Sequence, residues 1–389
     1  MHDSQHFILG GGLFLFLFSV AFLLSKLKVP YILSFMLAGL VGKLFIPHQV
    51  EELLSFFEHS AVVLLFFFIG LEYSFERLVG MGRVLKPGFV DFLLNFFPAF
   101  GVSYLFTKDL FFSLIMGAVV YPSSTAITAK LFMDYKRLVN PEAELLIGIL
   151  IFEDLISILL LSMFTGFALG GGLNPVSLLR SLLAVLLMFM LFYLLRKPSS
   201  TAFDYVERKV DDSLIPFLVL GFILMSAGIS LHFGISDALT AFMIGVLVPE
   251  KSRVFELIHK SLAELKELSV GVFFFMFTFS SKLSLDFNPW LLALLVIVSL
   301  TFKLLSTYWG AILYGLSKKS SVRASLSFLQ RGEFSVVFAS LHEPTQSLTF
   351  FLVLLTALTG SFSFLLAPEL SGRLFPKREK RAPFPAPPS

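Results

Sequence analysis

Residues 149–161 read ILIFEDLISILLL, with Glu153 and Asp154 side by side in a run that is otherwise apolar apart from Ser157. Taken as part of a bilayer-crossing helix over about 143–168, the pair falls near mid-depth. An ionised side chain there costs about 2.5–3.5 kcal/mol on insertion scales, so such groups face a wet cavity or a partner and mark an ion or proton route. Neighbouring residues on a helix point about 100° apart. One carboxylate can therefore face a cavity while the other meets a neighbouring helix. A pair buried only for packing specificity is the plain alternative, and the rest of the chain weighs between the two.

The 389 residues are 56% hydrophobic and 15% charged, with a mean hydropathy of +0.86. Soluble domains carry about a quarter charged residues, so the composition predicts an all-α polytopic membrane protein. The absence of cysteine excludes a disulfide, a thiolate nucleophile and any Cys-based metal site. The histidines lack metal-ligand spacing, and no cationic region or small-residue site marks a cleavable leader around 13–24. Apolar runs long enough to span recur at 5–25, 29–47, 52–71, 87–106, 109–133, 143–168, 175–195, 212–231, 233–249, 261–281, 289–315, 321–342 and 346–367, about thirteen in all. The split at 232 rests on a turn at His232, Gly234 and Asp237.

Basic residues fall almost wholly on one set of loops, among them Lys26, Arg83, Lys136, Arg208, Lys260, Arg323 and Arg378. The opposite set holds Lys43, Lys108, Arg180 and Lys282. The positive-inside rule then predicts a multi-pass protein of the cell (inner) membrane, N-terminus outside and C-terminus cytoplasmic. Residues 1–370 read as the membrane domain, and 371–389 as a basic, Pro-rich cytoplasmic tail near anionic lipid. Membrane lipid is the expected surrounding, and nothing points to nucleic acid.

Three further polar features lie at membrane depth. Residues 121–126, YPSSTA, place Pro122 mid-span, where it kinks the helix and frees backbone carbonyls beside the hydroxyls of Ser123, Ser124 and Thr125. A simple kink with the serines bonding back is the bland reading. Residues 330–334, QRGEF, place Arg331, Gly332 and Glu333 in a span, where the two charges either serve a site or merely neutralise one another. Lys303 is too deep in 289–315 to reach water easily and needs an anion, for which Glu153 or Asp154 is the candidate. The two interrupted spans lie seven apart, so they run in opposite directions. Such a pair points to a secondary-transporter site at the midplane, with half-helix ends supplying dipoles and bare carbonyls.

Several motifs resemble those of the monovalent cation:proton antiporter-2 family, relatives of bacterial sodium/proton antiporters and potassium efflux transporters. They are FFIGLE at 67–72, SSTAI at 123–127, FED at 152–154, GISDALTAFMIG at 234–245 and RGEF at 331–334. The resemblance covers the chain to about residue 367. It implies an inverted-repeat antiporter fold with two crossing discontinuous helices and alternating access. It further implies an ion-translocating core around spans 52–168 and 261–367, with the remaining spans forming a dimerisation domain of a homodimer. By this likeness Asp154 matches the ion-binding aspartate, Glu153 the preceding acid and Lys303 its charge partner. Familiar electrogenic members carry two aspartates where this chain has Glu153 and Asp154, which leaves stoichiometry open. A nucleotide-binding domain like that of the potassium efflux relatives is not expected, whereas a separate regulatory subunit is compatible.

The expectation is that Asp154 binds either a proton or a dehydrated monovalent cation, Na+ or K+, with Ser123, Ser124, Thr125 and freed carbonyls completing an oxygen shell. Pro122, Arg331, Gly332 and Glu333 would support the discontinuous helices. No cofactor beyond the transported ions is expected. The rival readings are a cation channel without proton coupling and an intramembrane aspartyl protease. The second needs catalytic aspartates on two spans, whereas Asp204-Tyr205 stands in a loop and in the wrong order.

Overall fold

Polar caps and prolines set the helix limits. Asp109, Ser236, Asn288 and Ser317 each accept a hydrogen bond from a backbone N–H in the first turn of the helix that follows them, and Gly315 ends the helix before it in a left-handed conformation at φ 103°. The computed structural model describes residues 2–26, 29–47, 49–72, 82–169, 205–233, 236–250, 252–280 and 287–375, with isolated positions between 183 and 203. In chain order the helices are α1 (His2–Ser25), α2 (Tyr31–Gly42), α3 (Gln49–Glu72), α4 (Gly82–Thr107), α5 (Leu110–Val120), α6 (Thr125–Asp134) and α7 (Pro141–Leu169). They continue as α8 (Ile215–His232), α9 (Asp237–Leu247), α10 (Arg253–Ser280), α11 (Pro289–Tyr314), α12 (Lys318–Leu326), α13 (Glu333–Ser340) and α14 (Glu343–Leu374).

Among the described residues the regular structure is all helical. Every expected span has a helix or a pair of half-helices at its place except 175–195, which lies almost wholly outside the described residues, as does the tail from 376. The turn between α8 and α9 falls where it was expected, although Gly234 lies outside the described residues. Helix α10 starts at Arg253, ahead of the apolar run at 261, because its first turns are amphipathic. Val254, Ile258 and Leu262 recur every four residues on a buried face while the charges stay outside.

Packing sorts the helices into two bundles. Helices α4–α7 and α11–α14 form one, with α4 against α11 its most extensive contact. Helices α1–α3 and α8–α10 form the other, in which α3 packs on α9 and α10, and α2 on α10. The ranges expected for the core, 52–168 and 261–367, thus take in α3 and α10, which pack with the second bundle. The reason is close backbone approach. A Cβ on Gly70 would stand 2.1 Å from the Phe242 carbonyl oxygen, and one on Gly245 would stand 2.3 Å from that of Phe67.

Candidate ion-translocation site

Both interrupted helices are broken, and the breaks touch. The backbone leaves the helix at Tyr121–Ser124 between α5 and α6, and at 327–332 between α12 and α13. The Ser124 amide donates to the Gln330 carbonyl at 2.8 Å. A Cβ on Gly332 would lie 2.4 Å from the Ser124 Cβ, so only glycine lets the segments cross there.

A broken helix in lipid leaves amides and carbonyls that must find partners inside the protein. Each break supplies them to the other. Arg331 Nη1 donates to the Tyr121 carbonyl at 2.9 Å, and Ser335 Oγ donates to the Val119 carbonyl at 2.7 Å, both at the C-terminal end of α5. Glu333 sits at the opposite pole, at the N-terminus of α6, accepting from Ser124 Oγ at 2.9 Å and the Ala126 amide at 3.3 Å. A cation at a helix C-terminus and an anion at an N-terminus both match the peptide dipole. Arg331 and Glu333 thus do not neutralise one another. The guanidinium instead turns to α4 and α11, donating to Asn95 Oδ1 at 2.9 Å and Ser299 Oγ at 3.0 Å.

Glu153 on α7 joins the first break. It accepts from the Ser123 amide at 2.5 Å and from Ser123 Oγ at 3.3 Å, and it is fully buried. Lys303 Nζ contacts Glu153 Oε1 directly and also both Asp91 oxygens, at 2.9 and 2.8 Å. Asp91 further accepts from Ser306 Oγ at 2.7 Å and Asn95 Nδ2 at 3.1 Å. Asp154, the next residue along α7, is 2% exposed. Thr125 Oγ1 and the Gln330 side-chain amide are buried without a hydrogen-bond partner, leaving hard oxygen donors uncommitted beside the crossing.

A cavity of about 630 Å³ opens between the two bundles from the end that carries Lys130, Asp134, Lys266 and Glu267. Its floor is the crossing itself, at Ala126, Ile127 and Glu333. Glu153, Asp154 and Lys303 do not line it.

Asp91, Asn95, Ser299 and Ser306 were not singled out from sequence. A signal existed. Asp91 and Asn95 stand four apart in an apolar run, and Ser299, Lys303 and Ser306 share one helical face.

The family model described as sodium/hydrogen exchanger, transmembrane, matches residues 12–371. The chain belongs to the sodium/hydrogen exchanger family. As an exchanger it is a transporter and not an enzyme. It is 33% identical over 382 residues to the ammonium/H+ antiporter subunit AmhT of Alkalihalophilus pseudofirmus, covering 95% of each chain. It is 29% identical to the K+/H+ antiporter subunit KhtU of Bacillus subtilis over 78% of this chain and 75% of that one. It is 25% identical to a Na+/H+ antiporter of Enterococcus hirae over 72% and 74%. The sodium proton antiporter MjNhaP1 of Methanocaldococcus jannaschii superposes with a TM-score of 0.66 at 17% identity, over 96% of this chain and 98% of that one. That likeness speaks for the fold, and it agrees with the two crossed, oppositely directed broken helices of an inverted-repeat exchanger.

Proposed function

We propose that this exchanger moves a monovalent cation (Na+, K+ or NH4+) one way and protons the other, within the monovalent cation:proton antiporter-2 branch. Asp154 takes either ion and never both. Glu153 releases its contact with Lys303 when the cation arrives, and Ser123, Ser124 and Thr125 add oxygen ligands. Arg331 and Glu333, with Pro122 and Gly332, hold the breaks open. The observation that carries this reading is the meeting of both broken helices with Glu153 and Lys303 at one buried place. It rests further on a cavity that follows the seam between two bundles, where alternating access requires one body to slide on another. The bundle of α1–α3 and α8–α10 is the one assigned to homodimer contact. The segregated basic loops support an inner-membrane protein with its N-terminus outside. Two of the relatives are named as antiporter subunits, which supports a separate regulatory subunit.

The test is proton flux in proteoliposomes driven in turn by Na+, K+ and NH4+. Asp154→Asn is expected to abolish cation-driven proton movement while leaving the protein folded. Cation flux that persists in wild type with no opposing proton movement would show a channel instead.

A further inference from the structure

Lys303 is shared. Its ammonium group bridges Glu153 on α7 and Asp91 on α4, and Asp91 engages it with both oxygens. A mechanism in which Glu153 lets go of the lysine must deal with the cation left behind in a dry site, which is costly without a second anion. Asp91 is placed to be that anion. It is fully buried and held on three sides, by Lys303, by Ser306 one turn along α11, and by Asn95 one turn along its own helix. Asn95 is in turn fixed through its carbonyl oxygen to Arg331, and Arg331 to the Tyr121 carbonyl at the break. Asp91 and Lys303 also sit on the two helices with the broadest mutual packing in the bundle, so their pair stays intact when that bundle moves.

We infer that Asp91 is a positioning residue for exchange: it keeps Lys303 on the α4 side, so that Glu153 can change partner at little cost when a cation binds. This rests on the antiport reading above and adds a residue that reading does not use. Asp91→Asn leaves Glu153 as the lysine's sole carboxylate. The Lys303–Glu153 contact then tightens, and the incoming ion competes against it.

The experiment measures apparent KM and maximal rate for cation-driven proton flux in proteoliposomes at fixed pH. Asp91→Asn is expected to raise KM about tenfold or more, since tenfold is about a third of what breaking a buried ion pair costs. The maximal rate falls less. Asp91→Glu keeps KM near wild type. Unchanged KM in Asp91→Asn, or an Asp91→Glu variant no closer to wild type than Asp91→Asn, overturns the inference. Where Asp91→Asn does not accumulate in the membrane, Ser306→Ala decides. It weakens the hold on Asp91 and is expected to raise KM in the same direction by about twofold or more, and an unaltered KM overturns the inference equally. Absence of coupled proton flux in the wild type, by contrast, defeats the antiport reading itself.

Discussion

Arg137 shows how one side chain repairs what another residue breaks. Pro368 lies inside α14 and has no N–H for the carbonyl four residues back, that of Phe364. Arg137 Nη1 donates to that carbonyl at 2.9 Å, Nη2 reaches Ser327 Oγ at 2.8 Å, and the guanidinium lies 4.1 Å over the Phe364 ring. Burial pulls the guanidinium below its ordinary pKa, and Glu142 beside it opposes the shift. Arg137→Ala is expected to destabilise by about 1–3 kcal/mol by orphaning the Phe364 carbonyl, read as a lowered melting midpoint in detergent. Adding Pro368→Ala restores an N–H to that carbonyl and recovers part of the loss. A single variant as stable as wild type overturns this. The sequence marked Glu153, Asp154, Lys303 and Arg331 because a lone charge in an apolar run is conspicuous. Asp91 carried the same mark in its own apolar run and was passed over, whereas nothing local marked Arg137, whose partner lies 227 positions away.

At the scale of elements, the first break was legible and the second only half so. Pro122 forces the chain out of helical geometry at 121–124, and the YPSSTA run shows it. No proline marks 327–332. Helix α12 ends at Leu326, ahead of the QRGEF motif, because the segment is drawn into an extended crossing by Ser124 rather than stopped by its own residues. Gly332→Ala puts a methyl group 2.4 Å from Ser124. Overpacking at a backbone crossing costs about 1–3 kcal/mol or more. The expected result is a lowered melting midpoint together with loss of most cation-driven proton flux. Full transport at wild-type rate would show that the crossing has slack. The limits of the bundles were not legible either, because apolar composition is the same in both, and only contacts such as Gly70 on Phe242 separate them.

At the scale of the whole molecule, the described helices form two bundles with a cavity in the seam, and the chain's lack of cysteine makes that geometry easy to probe. Lys130 on α6 lies 4.7 Å over the Tyr31 ring on α2, a cation–π contact from one bundle to the other at the cavity. Tyr31→Ala is expected to change the rate of exchange without changing apparent cation affinity, since Tyr31 lies at the mouth and not at the crossing. A changed affinity at constant rate contradicts this placement. Ala126→Cys gives a lone thiol on the cavity floor. A membrane-impermeant maleimide is expected to label it from the lysine-rich face and not from the other, blocking exchange as it does so. Equal labelling of right-side-out and inside-out vesicles would show that the floor is not a barrier.

The mutual repair of the two breaks also sets a timetable for biogenesis. Glu333, which satisfies the start of α6, is made 209 residues after Ser124. At about 5–20 residues per second of synthesis, the wait is roughly 10–40 s. Through that interval residues 110–134 keep the kink that Pro122 imposes, but the start of α6 lacks its partner. The break is therefore written into the first half of the chain and sealed by the arrival of the second. A polypeptide halted after α7 is expected to insert with the break unsealed, so that a cysteine placed at Ser124 is more accessible in stalled nascent chains than in the finished protein.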